Sequence, residues 1–190
     1  MIIASLPLTA HAHANAGWAH SVLDGAMVFG LTIEYLLPVL AAALLPSRVP
    51  RQAVGYGVGY IVTGLLLGMV AAYAARDVIV VSLLAQSYLS LLGLVVLLDL
   101  RLPLRIVCLL RFLAGGLVGL QYGVSPIGDP LSAPTLTLGF IAAAVSIYIV
   151  AALLTSYCRV GWQRIAMRIA GSWIVAIAVI YLAYLVRQLR

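Results

Sequence analysis

Three ionisable side chains stand in one strongly apolar stretch, HSVLDGAMVFGLTIEYLLPVLAAALLP at residues 20–46: His20, Asp24 and Glu34. Charge is costly to hold in hydrocarbon, so an ionisable group in a membrane helix is by default a candidate functional group facing the bundle interior. His20 and Asp24 are four residues apart and share a helix face, which Met27, Leu31 and Pro38 approximately continue, with Glu34 to its side. An imidazole and a carboxylate one turn apart can hold a divalent metal, or can simply hydrogen-bond to each other. Asp24 equally suits a cap at the positive end of a helix. Glu34, at mid-depth, can be a ligand or a proton carrier, or one half of a structural ion pair with Arg111. Pro38, four residues on, deprives the Glu34 carbonyl of its helix donor and so offers a cation a second oxygen; a packing kink explains that proline equally well.

The rest of the chain must supply the helices that surround these groups. Of its 190 residues 65% are apolar and only 8% charged, too few charges to cover a soluble domain of this size. The fold class is therefore all-α, a polytopic transmembrane bundle in a single domain over residues 20–190. The net charge of +6 comes from arginine alone. It reads as a topology signal, and no basic patch on a soluble module supports nucleic-acid binding. Cys108 and Cys158 sit at or within apolar segments and suggest neither a disulfide framework nor a zinc knuckle.

Hydropathy and turn residues predict six helices, at about 23–45, 53–75, 78–98, 103–122, 135–157 and 169–186. Each spans, or comes close to, the ~20 apolar residues a bilayer requires. Glycines four apart, Gly55/Gly59 and Gly64/Gly68, allow close helix approach, and Arg111 lies on one face with Gly115, Gly119 and Gly123. That spacing puts Arg111 on the packed side, with Glu34 as its expected partner, unless it snorkels outward on its stem. Gln86 and Gln121 are candidates for interhelical hydrogen bonds. Trp18 and Trp162 read as interfacial anchors, and Tyr181 and Tyr184 as interfacial or packing residues. The link before helix six is bracketed by Arg159, Arg164 and Arg168.

Loops one, three and five carry seven arginines and loops two and four carry only Arg76, which puts the odd loops in the cytoplasm and the N-terminus outside. Arg187 and Arg190 oppose the outside C-terminus that six spans require. Residues 1–19, with Ala-His-Ala after a short apolar run, resemble the end of a leader cleaved after Ala12 or Ala14, though its basic start is missing. His11 and His13 can serve as a metal-collecting tail or be incidental to a processed leader.

The leader ending AHA and the run GLTIEYLLPVLAAALL resemble the HupE/UreJ family of nickel/cobalt permeases, as do GFIAAAVSIYIVAALL and RIAGSWIVAIAVIYLA near the end. The resemblance implies a six-helix bundle in a bacterial inner membrane. It also implies passage of a divalent transition-metal cation, received at His20 and Asp24 and bound at depth by Glu34. The ligand motifs depart from the family pattern. Glu34-Tyr35 stands where the family has Asp-His, Val28 where a His precedes it, and Tyr148 where a later His is frequent. The motif His-Gly-x-Ala-His-Gly-x-Glu falls near Gln121, Tyr122 and Gly123, where only Tyr-Gly remains. Phenols with pKa near ~10 are poor nickel or cobalt ligands, so Tyr35, Tyr122 and Tyr148 are expected to line a polar interior, with Arg111 setting its charge balance.

No hydrolase constellation and no ATP-binding motif is present, so the chain reads as a non-enzyme without a permanent cofactor. Its partners are the bilayer and either further copies or another membrane protein. The alternative reading is a non-transporting scaffold or assembly subunit.

Overall fold

The computed structural model describes residues 21–45, 52–75, 77–100, 102–125, 134–157 and 161–188. They form seven helices and short turns, with no strand among the described residues. These are α1 (Val22–Leu31), α2 (Ile33–Leu44), α3 (Gln52–Ala72), α4 (Val78–Leu97), α5 (Leu104–Val124), α6 (Pro134–Tyr157) and α7 (Gly161–Gln188). The helices α3 to α7 are each long and apolar enough to cross a membrane, and α1 with α2 meets the same test as a pair.

Local chemistry explains most of the boundaries. Ser21 and Asp24 form a capping box at the start of α1, each side chain answering a backbone N–H of the other. Asp77 opens α4 by accepting from the N–H groups of Ile79 and Val80 at 3.0 and 3.3 Å. Pro134 opens α6 at a position where no N–H is needed. Asp99, at φ 47°, turns the chain out of α4 in the left-handed region. Arg168 of α7 donates from Nε to the Leu97 carbonyl at 3.0 Å, satisfying one of the acceptors the end of α4 leaves open.

Two expectations are corrected. The stretch 23–45 is two helices bent by 77°, not one. The break is at Thr32, in extended backbone at φ −94° and ψ 104°, while α2 runs unbroken through Pro38. The cause is tertiary. The short α1 lies against α6 at backbone distance: a Cβ on Gly25 would sit 1.9 Å from the Leu136 carbonyl oxygen, and one on Gly139 equally close to that of Val22. That contact draws α1 away from the line of α2, and the β-branched pair Thr32-Ile33 accepts the extended conformation readily. The second correction concerns α7, which begins at Gly161, eight residues before the predicted 169. Arg164 and Arg168 are thus on the helix and not in a link.

Packing centres on α2, which touches α1, α4, α5, α6 and α7. Its buried Ala41, Ala42 and Ala43 permit that crowding. Flanking it, α3 pairs with α5 and α4 with α7. The α3–α5 seam is the tightest. Cβ atoms on Gly64, Gly68, Gly115 and Gly119 would fall 2.0–2.3 Å from carbonyl oxygens of the facing helix. The expected glycine stripe is therefore a packing device, with Gly64 and Gly68 on it, whereas Gly55 and Gly59 face open space.

Candidate functional site

The break in the α1–α2 pair opens onto a cavity of about 360 Å³ between α2, α4 and α7. Its polar lining is Thr32, Glu34, Gln86 and Tyr181, set among aliphatic side chains that include Leu37, Leu89 and Ile177. Glu34 lies in the first turn of α2, so its half-buried carboxylate stands beside the unpaired N–H groups of a helix start. Thr32 makes no side-chain cap bond there. The last carbonyls of α1 end at the same break, with their negative dipole end toward it. Gln86, 3% exposed, lines the same cavity. A carboxylate, an amide, a phenol and a hydroxyl at the junction of two half-helices form a cradle of oxygens in an otherwise apolar wall.

The Tyr181 hydroxyl donates to Glu34 Oε1. This replaces the expected Glu34–Arg111 ion pair. Arg111 instead donates from Nε to the Ala42 carbonyl at 3.4 Å and lies 5.7 Å from the centre of the Tyr148 ring. Ala42 is eight residues beyond Glu34, about 12 Å along α2, so the two charges engage different levels of the same helix. The sequence marks Tyr181 only as an interfacial or packing residue. No spacing in α7 distinguishes it from Tyr184, and its role depends on a contact 147 residues away.

The three tyrosines at the family's imidazole positions do not share one chamber. Tyr35 and Tyr122 join Phe29 and Phe140 in an aromatic cluster with centroid separations of 4.1–6.4 Å. Such pairs contribute about 0.5–1.5 kcal/mol each beyond area burial. Their hydroxyls are engaged, Tyr122 with Thr137 at 3.3 Å and Tyr35 with Ser125. Tyr148 lies eight residues from Phe140 on α6, at the level of Arg111 and Gly57. Its hydroxyl is fully buried without a hydrogen-bond partner among the described residues, and a Cβ on Gly57 would lie 2.0 Å from it. Gln121, expected to bond across helices, is buried with both amide atoms unpartnered among the described residues.

The Ser21 hydroxyl donates to Asp24 Oδ2 at 2.6 Å, and the same oxygen accepts the Ser21 N–H at 3.2 Å. The capping alternative for Asp24 is thus realised in the geometry. His20, His11, His13 and Trp18 lie outside the described residues, as does the leader expected over 1–19. Among the described residues no group of three or more His, Cys, Asp or Glu is placed to hold a metal.

An all-helical bundle with a broken first span and a carboxylate at the break defines a multi-pass membrane protein. A family model described as HupE / UreJ protein matches residues 1–181, and the chain belongs to that family, which is associated with nickel/cobalt transport or accessory function. No curated protein and no solved structure matches the chain.

Proposed function

We propose that the protein is a permease of the inner membrane that passes a divalent transition-metal cation, with Glu34 as its ligand at the broken helix. The observation that carries this reading is the Glu34 carboxylate lining a cavity where two half-helices meet. Interrupted helices at mid-membrane, with polar backbone exposed only to a cavity, are a recurrent way of binding ions in transporters. With the N-terminus outside, Asp24 in the first turn of α1, and His20 before it in the sequence, would meet the ion first. Arg111 holds a fixed positive charge at the level of Ala42, about 12 Å further along α2. Transport here needs no chemistry on the protein, which fits an ion-coupled or passive carrier and not an enzyme.

The test is uptake of Ni²⁺, Co²⁺ and Mn²⁺ into proteoliposomes holding wild-type protein or Glu34→Gln. The reading expects saturable uptake of at least one ion, lost in Glu34→Gln while the thermal unfolding midpoint is kept. Uptake unchanged in Glu34→Gln would remove that residue from the pathway. A well-folded wild type that moves none of them would favour the accessory-subunit reading.

A further inference from the structure

The wall around Glu34 has a chemistry of its own. We propose that the cavity is also a binding site for a primary alkylammonium ion, with the ammonium on Glu34 and the alkyl chain along the aliphatic lining. Bound there, the amine blocks the transported cation. That consequence rests on the reading of Glu34 as the ion's ligand, whereas the binding itself rests on the cavity.

Size and lining are those of a small-molecule pocket. The volume of about 360 Å³ falls within the roughly 300–1,000 Å³ such pockets occupy. They are mainly hydrophobic, with a few polar groups that fix the ligand's orientation. Here Leu37 of α2, Leu89 of α4 and Ile177 of α7 bring apolar surface from three helices to one carboxylate.

Charge selects the headgroup. Of the four described acids, Glu34 lines the cavity, while Asp24 and Asp77 are held in helix caps and Asp99 turns the chain out of α4. One carboxylate balances one positive charge, and a primary ammonium carries one charge and three N–H donors. Tyr181 donates to Glu34 Oε1, and a carboxylate accepts at both oxygens. The Thr32 hydroxyl and the Gln86 amide oxygen are further acceptors in the lining. The negative dipole end of α1 at the break favours a cation as well.

The rim selects the rest of the molecule. Leu31 and Ile33 line the cavity and are 81% and 58% exposed. Ile177 stands on one stripe of α7 with the exposed Trp173, Ile180 and Tyr184. An exposed apolar rim on membrane-spanning helices opens toward lipid, so an amphiphile dissolved in the bilayer reaches Glu34 from the side. An ethanolamine lipid also carries a primary ammonium, but its phosphate lies close to that group and would be pressed against the aliphatic wall at a desolvation cost. The free alkylamine, with methylenes directly behind the charge, is the occupant this wall fits.

The experiment is calorimetric titration of hexylammonium chloride at neutral pH into the purified full chain in detergent, with butylammonium and hexanol as comparators. Saturable hexylammonium binding is expected, with butylammonium weaker by about tenfold for its two missing methylenes. Hexanol is expected to show no saturable binding, and Glu34→Gln to bind neither amine. If Glu34→Gln does not fold, Ile177→Ala shortens the wall and is expected to lower the hexyl-to-butyl ratio at least about twofold. Amine binding retained in Glu34→Gln, an affinity independent of chain length, or hexanol binding as tightly as the amine would each overturn the proposal. In phosphatidylcholine nanodiscs the affinity is expected to be unchanged when phosphatidylethanolamine is added. Suppression by that lipid would make the lipid the occupant and overturn the free amine. Hexylammonium is finally expected to compete with Glu34-dependent ion uptake. Glu34-dependent amine binding in a protein that moves no ion would keep this site and remove the permease reading. Glu34-dependent uptake without amine binding would do the reverse.

Discussion

The two sides of α2 are built to different standards. On one side α3 and α5 meet backbone to backbone through Gly64, Gly68, Gly115 and Gly119, with Arg111 and Tyr148 buried nearby. On the other side α2, α4 and α7 border a half-open cavity, and α7 reaches α2 through the Tyr181–Glu34 hydrogen bond. Without a hydrophobic drive between helices in lipid, close van der Waals contact is what holds spans together. The glycine side therefore acts as the frame. The cavity side can exchange its polar contact for a ligand at modest cost, and its charge lies where that exchange would occur.

The largest expected effect breaks the frame. Gly68→Leu must force α3 from α5, since even a Cβ would meet the Gly116 carbonyl oxygen at 2.0 Å. A loss of about 3 kcal/mol or more is expected, read as failure to recover folded protein from detergent. Gly59→Leu, on the same helix but facing open space, should leave the unfolding midpoint within about 0.5 kcal/mol of wild type. Equal damage from both would dissolve the contrast between seam and lipid face.

The second effect is functional. Tyr181→Phe removes the donor to Glu34 without emptying the cavity wall. It should cost about 1 kcal/mol of stability and alter the apparent uptake affinity. Tyr148→Phe, on the frame side, deletes a hydroxyl that is buried and has no hydrogen-bond partner among the described residues, so stability should hold or rise by about 1 kcal/mol with uptake unchanged. Opposite signs for two identical substitutions would sharpen the division. A matching loss in both would show that Tyr148 has a partner of its own.

The smallest effect lies at the outer end of α1. Asp24→Ala removes half of the capping box and should cost about 1 kcal/mol. Asp24→Asn keeps a polar group but loses the charge. It should weaken uptake by only a few-fold, roughly, at low salt, with the difference fading above about 0.15 M salt. Complete loss of uptake in Asp24→Asn would move the principal ligand from Glu34 to the outer mouth.

The spans were legible because a bilayer demands long apolar runs, and the Gly64/Gly68 and Gly115/Gly119 spacings signalled their own seam. Asp24 was legible as a cap from its place at the positive end of the first helix, although that competed with a metal role. The break at Thr32 was not. Pro38 drew attention six residues downstream, whereas the bend follows from α1 lying on α6, a contact that residue spacing along α1 does not encode. Arg168 lowered the hydropathy before residue 169 and so hid the first turns of α7, though its stem reaches the end of α4. The Glu34–Arg111 pairing failed for a similar reason. Depth alone matched the two charges, and neighbours around a helix cannot be read from depth.

Ion binding in this bundle turns on one carboxylate at one break. Calorimetric titration of Mn²⁺ into purified wild type, Glu34→Gln and Tyr148→Phe measures it directly, with unfolding midpoints taken on the same samples. The expected result is saturable binding in wild type and Tyr148→Phe, and none in a Glu34→Gln protein that unfolds at its normal temperature. Binding retained by Glu34→Gln would contradict the claim that the broken helix holds the ion.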